Sequence, residues 1–126
     1  MRKKFRITAQ FGAFICSFLT LSAVQAAFFD GQELKDRLID YKRSVSQKPV
    51  QAAGGFGFVM GVAEAMDGLT HSKTGYTFCL PPQAISGQIS DAVLVYLNNH
   101  PHNLRFSAHS LVEAALADAY PCSSRP

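Results

Sequence analysis

Residues 79–122 read CLPPQAISGQISDAVLVYLNNHPHNLRFSAHSLVEAALADAYPC, and this stretch decides the fold. Ser86 is placed to cap a helix running to about Asn98, with Ile89, Val93, Tyr96 and Leu97 marking its buried face. Asn98-Asn99-His100-Pro101 stops that helix. Another begins near Asn103 or Leu104, and places Leu104, Ala108, Leu111, Ala115 and Ala119 at spacings of four, three, four and four. Tyr120-Pro121-Cys122 ends it. So short a connection makes the two helices antiparallel. Cys79 precedes the first and Cys122 follows the second, so both emerge at the same end of the hairpin, where a disulfide can reach across. Closing this 44-residue loop stabilises the fold by about 4 kcal/mol on the chain-entropy account.

Upstream of the hairpin, Asp67-Gly68-Leu69-Thr70-His71-Ser72-Lys73-Thr74-Gly75 is polar and glycine-punctuated, and reads as a loop. It continues into Tyr76-Thr77-Phe78-Cys79-Leu80-Pro81-Pro82, whose paired prolines prevent regular structure. A long loop on a rigid scaffold is where recognition tends to sit. Before it, residues 52–66 form a helix despite four glycines, each costing up to about 1 kcal/mol there. Gly54, Gly57, Gly61 and Ala65 line up as a smooth strip, with Phe58, Val62 and Met66 as an apolar strip beside it. The spacing predicts close packing on another backbone, within one chain or across a dimer axis. A phosphate-cradling reading lacks both the third glycine and the preceding strand. Earlier still, Asp30 and Glu33 have the spacing of a capping box. Leu34, Leu38, Tyr41 and Val45 then mark one helical face, and the helix is expected to end near Gln47, ahead of Pro49. No strand-like alternation competes, so the predicted fold is all-α: a small four- to five-helix bundle with a disulfide-clipped C-terminal hairpin.

The N-terminus has a different character. Met-Arg-Lys-Lys-Phe-Arg is followed by an apolar run from Ile7 to about Ala23, closing on Val24-Gln25-Ala26. Charged start, apolar middle and small-residue end are the parts of a secretory signal, with the cut expected after Ala26 and a cut after Ala27 as the near alternative. A retained anchor is disfavoured by Thr8, Gln10, Gly12, Ser17 and Thr20, and a lipoprotein at Cys16 by the bulky Ile15 before it. The expected organisation is a signal peptide over residues 1–26 and a helical domain over 27–126, exported from the cytoplasm. Cleavage removes four of the twelve Lys and Arg residues and none of the nine Asp and Glu. Eight basic against nine acidic residues leave a net charge of −1, so no basic surface for nucleic acid or membrane is expected. Cys16 leaves too, and the two remaining cysteines fit one structural bridge in an oxidising compartment.

Histidines at 71, 100, 102 and 109 show no metal-ligand spacing such as His-Glu-x-x-His. A cysteine nucleophile needs a free thiolate, and both mature cysteines are placed as bridge partners. The reading is therefore a protein without catalytic residues, metal or cofactor.

The order Phe78-Cys79-Leu80-Pro81 to Gln88, Val95-Tyr96-Leu97-Asn98-Asn99-His100-Pro101, and Ser110-Leu111-Val112-Glu113-Ala114-Ala115-Leu116 to Tyr120-Pro121-Cys122 resembles the Rap/Tai family. These are small periplasmic immunity proteins paired with type VI secretion amidase effectors. Asp30-Gly31, Leu34 and the run Gly57-Phe58-Val59-Met60-Gly61-Val62-Ala63 are also similar, so the likeness covers nearly the whole mature chain. Family members often carry a further cysteine late in the first helix and another at the start of the glycine-rich helix. Here the regions Lys42 to Ser44 and Gly54 to Gly55 have none, and Leu80 intervenes between Cys79 and Pro81.

The resemblance implies an inhibitor that is not an enzyme, typically a homodimer, blocking a peptidoglycan amidase by covering its substrate cleft. The binding element is expected to be the 67–76 loop, with Asp67, Thr70, His71, Ser72, Lys73 and Tyr76 as the contacting residues; the alternative is a loop that merely connects helices. The alternative is a small periplasmic stress chaperone of the helical, single-disulfide type, for which acid-induced monomerisation with suppressed client aggregation is the discriminating behaviour.

Overall fold

The computed structural model describes residues 29–43 and 47–123; the expected signal segment and Val45 lie outside them. Among the described residues, four α-helices carry the fold: α1 (Gly31–Lys42), α2 (Pro49–Met66), α3 (Ser86–Asn99) and α4 (Ala108–Ala119), with a 3₁₀ turn at Pro101–Asn103 between the last two. Among the described residues there are no strands, only isolated bridges joining Asp30 to Ser107 and Phe78 to Pro121. The fold is all-α, as expected.

Asp30 caps α1 by accepting the Glu33 N–H at 2.9 Å. Glu33 uses its own carboxylate on Arg37, one turn further on, instead of completing a capping box. Leu34 and Leu38 are buried, whereas Tyr41 lies at the rim, stacked on Phe56 of α2 with ring centroids 4.4 Å apart. The helix stops at Lys42, earlier than the expected Gln47. Arg43 is extended and donates its N–H to the Asp40 carbonyl. Pro49 already occupies the first turn of α2, where its fixed φ suits the start of a helix.

In α2 the buried residues are Ala52, Gly55, Val59 and Ala63, a strip adjacent to the one expected. A Cβ on Gly55 would lie 2.6 Å from Arg37 Cβ, so this glycine lets α2 lie close against α1. Gly54 touches only the end of the Arg37 side chain. A methyl added at Gly57 or Gly61 would meet nothing within 4 Å, and Ala65 is exposed. Among the described residues, the expected strip therefore has no packing partner at Gly57 or Gly61. Two small-residue strips lie side by side on α2, and Val59 points the adjacent one inward. Phe58, Val62 and Met66 are half-buried against the edge of the core.

The α3 core face is Ile89, Ser90, Val93 and Leu97. Its cap residue is Ile85 and not the expected Ser86, and Gln88 reaches back to accept the Ile85 N–H. The last helix begins at Ala108, four residues after the expected Leu104. Residues 104–107 are engaged elsewhere: the Leu104 and Phe106 carbonyls accept the Gln32 and Gly31 N–H groups, each at 3.0 Å. Those are unpaired donors at the start of α1, and satisfying them competes with helix formation in 104–107. Gly31 is needed at this junction, since a Cβ would lie 2.2 Å from Leu111 Cδ1 and 3.0 Å from Leu104 backbone.

Cys79 and Cys122 form the expected disulfide, with Cα atoms 4.8 Å apart. The Cys79 N–H donates to Tyr120 O beside it, and the neighbouring Phe78 is buried. The core runs from Leu34 and Leu38 through Val59 and Val93 to Leu111, Val112 and Leu116.

Candidate functional site

The segment joining α2 to α3 is the longest irregular stretch between described helices, and its sequence explains why it holds one shape. Asp67, at the end of α2, accepts the Leu80 N–H at 2.8 Å, tying the two limbs of the loop together. Gly68 follows with φ +71°, which only glycine adopts freely, and donates its N–H to Phe78 O. Thr70 and Thr77 share a hydroxyl hydrogen bond of 2.7 Å across the same limbs. Beyond them, His71 N–H donates to Tyr76 O and Gly75 N–H to His71 O, closing residues 71–76 into a compact turn. Gly75, at φ +72°, makes that closure unstrained.

The turn is also anchored from below. Thr74 Oγ1 donates to Glu113 Oε2 on α4 at 3.2 Å, and His71 Nδ1 lies 3.8 Å from the same oxygen. The Thr74 N–H donates to His71 Nδ1 at 3.2 Å. The His109 ring stands beside His71 with centroids 6.0 Å apart. Glu113 is only 2 % exposed, and glutamate is almost never buried without partners.

Two grooves flank this anchor. One, of about 400 Å³, is walled by Phe58, Val62 and Met66 of α2 and closed at its polar end by His71, His109 and Glu113. The other, of about 290 Å³, lies under Tyr76 and is lined by Tyr96, Asn103, Phe106 and Ser110. Burial is the main influence raising the Tyr96 hydroxyl above its ordinary 10.0, with Tyr76 and Asp118 adding to it and a hydrogen bond from Asn103 opposing it.

The six residues expected to make contacts thus divide. Ser72, Lys73 and Tyr76 are exposed, Tyr76 by 41 %. Asp67 and Thr70 reach solvent but are bonded within the loop, and His71 turns inward towards Glu113. His100 is exposed and stacked on Tyr96, and His102 is exposed in the 3₁₀ turn. Among the described residues, no three His, Cys, Asp or Glu side chains are arranged to hold a metal. Glu113 was not singled out by sequence reasoning. Its signal is a lone charge within Leu111-Val112-Glu113-Ala114-Ala115-Leu116, every residue of which is buried.

A family model described as Rap1a immunity proteins matches residues 30–122, from the cap of α1 to the second bridge cysteine. No curated protein matches the chain.

Proposed function

Because the chain belongs to the Rap1a immunity proteins, a family acting against secreted effectors, we propose that it is a periplasmic inhibitor of a type VI secretion peptidoglycan amidase. In this reading residues 1–26 direct export and are removed, and the domain meets the incoming enzyme outside the cytoplasm. The Cys79–Cys122 bridge suits that compartment, because disulfides persist where the surroundings are oxidising.

The observation that carries the reading is the 71–76 turn. It is closed by its own backbone bonds and anchored to α4, yet presents Ser72, Lys73 and Tyr76 to solvent. A loop already in its bound shape loses little entropy on docking, which favours tight, stoichiometric inhibition. Tyr76 and Lys73 enter the amidase cleft, and the covered cleft excludes peptidoglycan. The protein contributes no catalytic group; it acts by occupancy. It does so as a homodimer, in which the exposed Gly57, Gly61 and Ala65 strip of α2 meets a second copy.

Co-purification with an amidase encoded beside this gene, followed by a peptidoglycan hydrolysis assay, tests the proposal. The expected result is a stable complex that abolishes hydrolysis at equimolar inhibitor, and at least tenfold weaker inhibition by Lys73→Ala/Tyr76→Ala. Hydrolysis that continues undiminished with excess inhibitor rules the reading out. Light scattering checks the dimer, which Gly61→Glu is expected to separate into folded monomers.

A further inference from the structure

The buried carboxylate of Glu113 is not explained by packing. It sits in the most buried run of α4, where an apolar side chain of similar size would serve the core, and its partners Thr74 and His71 both lie on the 71–76 turn. Isolating a carboxylate from water costs several kcal/mol unless it is hydrogen-bonded. The turn therefore supplies what Glu113 needs, and Glu113 supplies a fixed point for the turn.

The Thr74 hydroxyl lies 3.2 Å from Glu113 Oε2 and 3.1 Å from His71 Nδ1, and the Thr74 N–H donates to the same ring nitrogen at 3.2 Å. The anchor is thus continuous from α4 through Thr74 into the turn.

We propose that Glu113 is the positioning residue of the recognition turn, holding it through Thr74. The positional role follows from these contacts alone; that the turn serves recognition rests on the inhibitor reading above.

Amide hydrogen exchange on the mature protein tests this without any effector, using protection factors from which the intrinsic pH dependence has been divided out. Glu113→Gln keeps the shape of the side chain but removes its charge. It is expected to lower protection of the His71 and Gly75 amides by about tenfold, the scale of one bond to a charged group, while amides of α3 and the rest of α4 keep theirs. Thr74→Val removes the bond from the loop side, together with the contacts of the same hydroxyl to Tyr76 N–H and His71 Nδ1 inside the turn, and is expected to lower protection at least as far. Turn protection equal to wild type in both Glu113→Gln and Thr74→Val, or lost in step with α3 and α4, overturns the positional role. With an amidase in hand, Glu113→Gln should weaken the complex at least tenfold. An amidase that ignores the wild-type protein defeats the inhibitor reading and leaves the exchange result standing.

Discussion

The α3–α4 hairpin and helix α2 are held in the bundle by opposite means. In the hairpin, bulky side chains decide which way each helix faces: Ile89, Val93 and Leu97 on α3, and Leu111, Val112 and Leu116 on α4. A disulfide then clips the open end. In α2, Val59 is the only large residue fully inside, and the rest of the buried face is Ala52, Gly55 and Ala63. Bulk positions the hairpin, whereas the absence of bulk positions α2. A helix of the second kind can come close to its neighbour, but its orientation is set by the neighbour's shape more than by its own pattern.

The sharpest way to break this contrast is to remove the clip. Cys79→Ser/Cys122→Ser is expected to cost about 4 kcal/mol, from the loop-closure entropy of 44 residues, and denaturant unfolding would show it as a lower midpoint with the helical signal retained in buffer. An unchanged midpoint means that packing alone holds the hairpin. Within α2, paired substitutions should move stability in opposite directions. Gly55→Ala forces Arg37 Cβ aside from 2.6 Å and should destabilise by roughly 1–3 kcal/mol, as overpacking does. Gly61→Ala meets nothing within 4 Å and should stabilise the monomer by about 0.5–1 kcal/mol through helix propensity. Thermal melts of both, under conditions where the protein is monomeric, test whether the inward strip is assigned correctly. The smallest effect concerns Tyr96. Its hydroxyl titrates above the ordinary 10.0 in the folded chain, so the native state holds that proton more tightly than the unfolded one. Its contribution is present in full below pH 10 and declines as pH rises beyond it. Tyr96→Phe should remove that alkaline decline in a stability–pH profile.

The same contrast explains how far the site was legible. Polar residues, Gly68 and Gly75 and the paired prolines identify the 67–82 segment as a loop without reference to the rest of the chain. What the loop does next depends on a residue thirty-nine positions away, since Thr74 bonds to Glu113. Lys73 and Tyr76 face solvent as the sequence suggests, but His71 is drawn inward by that partner. Local chemistry identifies a loop; only a distant carboxylate tells which side chains it offers.

By itself, the sequence determined the helical class, the hairpin and its bridge, because these follow from large residues at helical spacing and from two cysteines at one end of a short-linked pair. It also determined that Asp30 caps α1, a bond spanning three residues. Tertiary structure decided where α4 begins, because the Leu104 and Phe106 carbonyls are taken by the first amides of α1. It decided which strip of α2 is buried, because two strips of small residues are equivalent until Arg37 and Val59 are brought against them. Interactions that close within a few residues are written in local order, whereas those that close across the bundle exist only once the helices have met.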